Sequence, residues 1–161
     1  MNKSISIVLA AMLALAYAMP ASAQQSTGKG LGGLFSSTSE DELIEPDLAF
    51  RLNVSVKDAN TILAELVPAK GYYLYRERIQ FSLKDANGIA ISAVNLPTGE
   101  MKTDQIFGRT QVYKKPVPAE ITLNRTSKAN TVTLVASYQG CHEKLGVCYP
   151  PIEKAIKLTL K

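Results

Sequence analysis

The sequence predicts an all-β protein, a β-sandwich, and three observations support this fold class. Short stretches of alternating apolar and polar residues recur along the chain, and turn-forming residues separate them. No stretch beyond residue 23 carries a helical apolar stripe over three turns. With 161 residues, of which 46% are hydrophobic and 20% charged, the chain is neither a disordered polymer nor a polytopic membrane protein.

Residues 1–23 are predicted to be a cleaved secretory signal. Lys3 precedes an apolar stretch over residues 4–17, and Ala21-Ser22-Ala23 matches the small-x-small rule for cleavage. A membrane anchor is the alternative, but crossing a bilayer takes about 20 apolar residues. We therefore expect no direct membrane insertion after cleavage. We also expect an oxidising compartment, in which two cysteines can pair.

The rest of the chain is predicted to form a leader and one domain. Residues 24–42 are rich in Gly and Ser, which predicts a flexible leader. Residues 43–161 have the length of a single domain with its own core. The net charge of +4 comes from interspersed charges of both signs, which argues against a nucleic-acid partner. We expect a monomer.

Period-two patterns predict about seven short strands. The tyrosine-rich run at residues 72–75 is predicted to continue as one strand to residue 83. The Asn-Gly pair at residues 87–88 predicts a hairpin turn within residues 85–88. The predicted strands cover residues 52–56, 62–67, 72–83, 89–94, 121–123, 132–138 and 156–160.

The two cysteines lie between the last two predicted strands. Six residues separate Cys141 from Cys148, glycines precede and follow the first cysteine within this segment, and Pro150-Pro151 ends strand pairing. A disulfide ring this small contributes about 2.5 kcal/mol of chain entropy, which is modest for a domain with its own core. The residues alone leave three alternatives open, namely a redox-active pair, a structural bridge and a metal site.

The flanks of the cysteines resemble a known family. The strings Tyr-Gln-Gly-Cys at residues 138–141 and Gly-Val-Cys-Tyr-Pro-Pro at residues 146–151 are specific, and Gly-Tyr-Tyr-Leu-Tyr-Arg-Glu-Arg-Ile at residues 71–79 precedes them. Together they resemble the N-terminal periplasmic domain of the bacterial thiol:disulfide interchange protein DsbD. The resemblance extends from residue 43 to the end of the chain. It implies an immunoglobulin-like β-sandwich with a redox-active cysteine pair in a hairpin loop at one end.

The resemblance also implies an activity and its partners. Members of this family pass electrons from a membrane thiol reductase to periplasmic thioredoxin-like acceptors, which are disulfide isomerases and cytochrome c maturation thioredoxins. The implied enzyme is a thiol:disulfide interchange module without an organic cofactor, which acts as part of a larger relay. Cys148 would form mixed disulfides with partners, and Cys141 would resolve them. This chain departs from the family in three respects. The family normally has five residues between the cysteines, a second acid and an aromatic residue where this chain has Gln105 and Ile106, and a fused membrane region.

The family shields its thiols with a mobile cap loop that carries aromatic residues. The matching residues are Asp104, Gln105, Ile106, Phe107 and Gly108. We expect Ile106 and Phe107 to form the shield and Gly108 to supply hinge freedom.

Three tyrosines and one histidine complete the expected site. Tyr73, Tyr75 and Tyr149 are expected to surround the thiols. His142 is expected to be a solvated loop residue, although an imidazole beside Cys141 could also stabilise a thiolate or help to bind copper. The alternatives to a redox module are therefore a non-catalytic binding sandwich with a structural disulfide and a copper carrier.

Overall fold

The computed structural model describes residues 42–161. The signal peptide predicted at residues 1–23 and all but the last residue of the predicted leader lie outside the described residues. The described part of the chain forms eleven strands, one 3₁₀ turn and one helix of a single turn. The all-β prediction is therefore confirmed.

The elements follow one another through short connections. Helix α1 spans Pro46–Ala49, and the 3₁₀ turn spans Arg76–Arg78. The strands are β1 (Phe50–Asp58), β2 (Thr61–Pro68), β3 (Tyr72–Tyr75), β4 (Gln80–Lys84), β5 (Ile89–Asn95), β6 (Glu100–Asp104), β7 (Gly108–Tyr113), β8 (Val117–Arg125), β9 (Thr131–Tyr138), β10 (Gly140–His142) and β11 (Ile152–Thr159).

The strands form three antiparallel sheets of an immunoglobulin-like sandwich. One sheet has the order β1-β2-β8-β5, the second β10-β3-β7-β6 and the third β11-β9-β4. The inward-facing residues of strand β9 contribute to two core clusters. Leu134 belongs to the first cluster and Tyr138 to the second. The first cluster also contains Ile62 and Ile121, and the second contains Phe50. These apolar contacts between facing sheets hold the sandwich together.

The strand predicted at residues 72–83 is divided into two. The 3₁₀ turn Arg76–Arg78 interrupts it, so that β3 pairs with β10 and β7 whereas β4 pairs with β9. All four residues of β3 are buried. The division therefore places β3, with its three tyrosines and one leucine, between β10 and β7, where both of its faces are covered.

The turn at residues 85–88 is present, but it does not close the predicted hairpin. Asp85, Asn87 and Gly88 have positive φ angles of 53°, 38° and 84°, as turn residues often do. However, β4 pairs with β9 and β5 pairs with β8, so the turn links two sheets. The hairpin prediction was wrong because each strand has a long-range partner that outweighs the local pairing.

Gly140 allows the chain to pass closely over the core just before Cys141. A Cβ atom at this position would lie 2.5 and 2.6 Å from two ring carbons of Phe50, and closer still to the carbonyl oxygen of Tyr73. No side chain fits there without displacing backbone or a buried ring. The glycine thus fixes how closely β10 approaches β3.

We expect Gly140→Ala to lower the free energy of unfolding by about 1–3 kcal/mol, because the methyl group overpacks the core. Urea unfolding of the oxidised protein measures this change. Gly146→Asn is the matched control, since Gly146 has a φ of 64° and open space around it, and Asn tolerates this conformation. A Gly140→Ala protein as stable as the native one would contradict the packing argument.

Candidate redox-active site

The cysteines face each other across an antiparallel hairpin formed by residues 140–149, here called the cysteine hairpin. The His142 N–H donates to the Val147 carbonyl at 2.8 Å, and the Tyr149 N–H donates to the Gly140 carbonyl at 3.0 Å. Cys141 and Cys148 lie between these two bonds as a non-hydrogen-bonded pair. Their Cα atoms are 3.9 Å apart, and their sulfurs form a disulfide.

The six-residue spacing is accommodated by a tight tip at residues 143–146. The Gly146 N–H donates to the His142 carbonyl at 3.0 Å, and Gly146 takes the positive φ that the turn requires. Glu143 at the tip forms ion pairs with Lys114 at 2.5 Å and Lys102 at 4.0 Å. These contacts tie the tip to the neighbouring β6–β7 hairpin.

The two sulfurs differ in exposure. Cys141 is 0% exposed and belongs to a buried cluster with Tyr73, Tyr75 and Val112. Cys148 is partly exposed and packs against the outside of this cluster. An incoming group can therefore reach Cys148, whereas Cys141 is covered.

A carboxylate and two phenols connect the disulfide to the β6–β7 hairpin. The hydroxyls of Tyr73 and Tyr75 donate to Asp104 Oδ2 at 2.9 and 2.8 Å. The same Tyr75 oxygen lies 3.1 Å from Cys141 Sγ and 3.6 Å from Cys148 Sγ. Tyr75 therefore bridges the Asp104 carboxylate and both sulfurs.

The protonation states of this group follow from burial and hydrogen bonding. Burial raises the pKa of Tyr75, and its hydrogen bonds to Tyr73 and Asp104 raise it further. Burial likewise raises the pKa of Tyr73. For Asp104, burial alone would raise the pKa, but the hydrogen bonds that it accepts lower the pKa below its ordinary value. At neutral pH the group thus consists of two neutral phenols around one carboxylate.

The residues expected to form the cap, 104–108, form the turn between β6 and β7, here called the cap turn. Asp104 Oδ1 accepts hydrogen bonds from the N–H groups of Ile106 at 2.8 Å and Phe107 at 3.1 Å. The Phe107 ring packs edge-on against Tyr75, with centroids 4.8 Å apart. Gly108 has a φ of 67° and open space around it, and Gln105 is exposed.

Of the two residues expected to shield the disulfide, the structure places only Phe107 against the buried cluster. Ile106 is 62% exposed. The Asp104 hydrogen bonds explain the difference, because they close a tight turn that directs consecutive side chains to different sides. Ile106 lines the approach to the sulfurs instead.

Tyr149 and His142 lie on the face of the cysteine hairpin away from the sulfurs. His142 directly follows Cys141, and Tyr149 directly follows Cys148. Because neighbouring residues of an extended chain point to opposite faces, both side chains point away from the face that carries the sulfurs. The Tyr149 hydroxyl donates to the Ile44 carbonyl at 2.5 Å, and its ring packs edge-on against Phe50. Tyr149 therefore does not surround the thiols, contrary to our expectation.

The expectation that His142 is solvated is wrong. Its side chain is 2% exposed, its ring packs edge-on against Tyr72 at 4.7 Å, and its Nδ1 accepts a hydrogen bond from the Leu145 N–H at 3.1 Å. Within residues 42–161, no group of three His, Cys, Asp or Glu side chains is arranged to hold a metal ion. His142 supports the hairpin tip from behind.

A cleft of about 430 Å³ opens beside Cys148, between the cysteine hairpin and the cap turn. Its walls include Tyr73 and Asp104, and Ile106 and Leu145 stand at its rim with 62% and 41% exposure. Val147 next to Cys148 is also 41% exposed. Cys148 thus borders a largely polar cleft near three exposed apolar side chains, and exposed apolar side chains of this kind are typical of protein interaction sites.

Sequence reasoning missed the cations that lie over the site's aromatic rings. The Arg78 guanidinium carbon lies 4.5 Å from the centre of the Phe107 ring, and Lys102 Nζ lies 5.0 Å from the centre of the Tyr73 ring. Both contacts join segments that are far apart in the sequence, and no local pattern indicates them.

Comparisons with known proteins agree with this geometry. A family model described as "Thiol:disulfide interchange protein DsbD, N-terminal" matches residues 40–160. DsbD 1 of Pseudomonas aeruginosa is 39% identical over 146 residues, which cover 89% of this chain and 24% of that protein. DsbD of Escherichia coli is 31% identical over 127 residues, or 79% of this chain and 21% of that protein. The chain thus spans about a quarter of the length of these relatives.

Solved structures give the same result. The reduced N-terminal domain of DsbD from Neisseria meningitidis has a TM-score of 0.65 and 30% identity, covering 73% of this chain and 90% of that one. A second Neisseria structure, of the complex between the DsbD N-terminal and PilB N-terminal domains, has a TM-score of 0.61 and 28% identity, covering 72% and 87%. In the part of this chain that the structure describes, no helix is long and apolar enough to cross a membrane.

We expect Asp104→Asn to lower the free energy of unfolding by about 1–3 kcal/mol at neutral pH, because charge-assisted hydrogen bonds from Tyr73 and Tyr75 are lost. The folded state lowers the pKa of Asp104, so its charge stabilises the protein above about pH 4 and this contribution disappears as the pH falls through the folded value. Urea unfolding from neutral pH to below about pH 4 should show that the difference in free energy of unfolding between the native protein and the variant becomes smaller in acid.

Asp47→Asn is the control for this substitution, since it removes only an exposed ion pair with Lys154 and should cost less than about 1 kcal/mol. The assigned charge state would be contradicted if Asp104→Asn did not lower the free energy of unfolding at neutral pH, or if its effect became larger in acid.

Proposed function

The chain belongs to the family of N-terminal domains of the thiol:disulfide interchange protein DsbD, and on this premise we propose that it exchanges disulfides with partner proteins through Cys141 and Cys148. One observation above all supports this proposal. The disulfide joins a buried cysteine to a partly exposed one, and the partly exposed Cys148 borders an open cleft that also contains the exposed side chains of Ile106 and Leu145. A purely structural bridge needs neither the access nor the cleft.

In the proposed reaction, the Cys148 thiolate of the reduced domain attacks one sulfur of a partner disulfide. A mixed disulfide forms, and the other partner sulfur leaves as a thiolate. The Cys141 thiolate then attacks Cys148 Sγ, which restores the intramolecular disulfide and releases the second partner sulfur. Two electrons have passed to the partner, which takes up the two protons that the domain's thiols gave up. Reduction by an upstream dithiol runs the same steps in reverse.

The surroundings of the sulfurs support this division of roles. Asp104 lies one hydroxyl group away from Cys141 Sγ, through Tyr75. The same hydroxyl lies 3.6 Å from Cys148 Sγ, so the carboxylate acts on both sulfurs. Burial disfavours negative charge on Cys141, which is 0% exposed, and leaves the partly exposed Cys148 as the favoured thiolate. The cap turn is proposed to exclude small oxidants through Phe107 and to move aside for a partner, with Gly108 as its hinge.

The proposed partners are thioredoxin-like domains of a membrane thiol reductase and of periplasmic acceptors, including disulfide isomerases and cytochrome c maturation proteins. The Neisseria relative solved in complex with a PilB N-terminal domain supports partner docking by this family. We further propose that residues 1–23 are removed on export to the periplasm. Residues 24–42 would then form a flexible leader before a monomeric domain of residues 43–161.

The proposal is tested by trapping the mixed disulfide. Cys141→Ser removes the resolving thiol, so incubation of the reduced variant with an oxidised thioredoxin-like protein should accumulate a covalent adduct through Cys148. Non-reducing electrophoresis and mass spectrometry measure the adduct and its linkage.

Cys148→Ser is the matched control and should give little adduct, because Cys141 is buried. If neither variant is trapped by any thioredoxin-like protein, or if Cys141 is the sulfur that reacts, the proposed exchange is wrong. A structural disulfide would then account for the pair.

A further inference from the structure

We propose that Arg78 is a positioning residue that holds the cap turn closed over the disulfide, through the face of the Phe107 ring. The inference rests on the proposed function, since it concerns access to the same sulfurs. Arg78 lies at the end of the 3₁₀ turn, outside both the cysteine hairpin and the cap turn. The inference therefore adds to the site a residue that takes no part in the exchange chemistry.

The contacts form a short chain from solvent to the sulfurs. The guanidinium carbon of Arg78 lies 4.5 Å from the centre of the Phe107 ring. That ring packs edge-on against Tyr75 at 4.8 Å, and the Tyr75 hydroxyl oxygen lies 3.1 Å from Cys141 Sγ. Phe107 is thus held between a cation on one side and the covering of the disulfide on the other.

The remaining contacts of the cap turn restrain its base more than its aromatic side chain. Asp104 fixes the start of the turn through Tyr73 and Tyr75 and through two backbone N–H groups. At the other end of the cap turn, a Cβ atom on Gly108 would have no neighbour within 4 Å, so the turn is loosely packed there. The ring of Phe107 can consequently swing away without breaking the Asp104 hydrogen bonds, and Arg78 opposes that movement.

The charge of Arg78 is directed to this ring. Within residues 42–161, no carboxylate forms an ion pair with Arg78, and the side chain is exposed. A guanidinium over a phenyl face is attracted by the ring quadrupole. Its neighbour Arg76 on the same turn points elsewhere, with Nε donating to the Pro97 carbonyl at 3.4 Å.

The test measures how fast dithiothreitol reduces the disulfide of the full domain. If Arg78 holds the cap closed, Arg78→Gln raises the fraction of open molecules and speeds reduction about two- to fivefold, the factor that an exposed cation–π contact supplies. Dithiothreitol attacks as a thiolate, so loss of a nearby positive charge would by itself slow the reaction. Acceleration therefore separates opening of the cap from a simple charge effect.

Three further variants separate positioning from general loosening. Arg78→Lys keeps a cation over the ring and should restore a rate near that of the native protein, whereas Arg76→Gln should leave the rate unchanged. In a Phe107→Leu background, Arg78→Gln should add no further acceleration, because its effect passes through the ring. Thermal unfolding of each variant confirms that the proteins compared are folded.

The inference is overturned if dithiothreitol reduces the disulfide of the Arg78→Gln variant no faster than that of the native protein. It is also overturned if Arg78→Gln still accelerates reduction when Phe107 is replaced. Failure of the proposed function looks different. In that case the Cys141→Ser variant forms no adduct with thioredoxin-like proteins, while the dependence of the dithiothreitol rate on Arg78 is measured independently of that result.

Discussion

The site depends on the position of one short strand, β3, whose four residues are all buried. β3 pairs with β10 on one side and with β7 on the other, so it lies between the cysteine hairpin and the cap turn. Alternation along the strand sends Tyr73 and Tyr75 towards the sulfurs and Tyr72 and Leu74 into the other core cluster. A shift of β3 by one residue would exchange these two faces and separate the phenols from the disulfide.

This arrangement places a single negative charge behind the buried sulfur. The Asp104 carboxylate is charged at neutral pH because its hydrogen bonds outweigh the effect of burial. Its Oδ2 accepts the hydrogen bonds of the two phenols, and its Oδ1 accepts the two backbone N–H groups that close the cap turn. The stability of the cap turn and the surroundings of the disulfide therefore both depend on the hydrogen bonds of one residue, Asp104.

Local patterns in the sequence predicted the class of fold and the position of the cysteine hairpin. Alternation at residues 132–138 predicted β9, and the residues flanking Cys141 and Cys148 indicated the family. Contacts between distant segments were missed, because they depend on tertiary pairing. The Asn-Gly turn at residues 87–88 joins two sheets, His142 is buried against Tyr72, and Arg78 lies over Phe107.

The central claim is that the bond between Cys141 and Cys148 is exchangeable. Its reduction potential tests this most directly, by equilibrating the domain with dithiol–disulfide buffers and counting alkylated thiols by mass spectrometry. If the bond is exchangeable, we expect a potential more oxidising than about −300 mV. A potential well below about −300 mV, the range of structural disulfides, would contradict it.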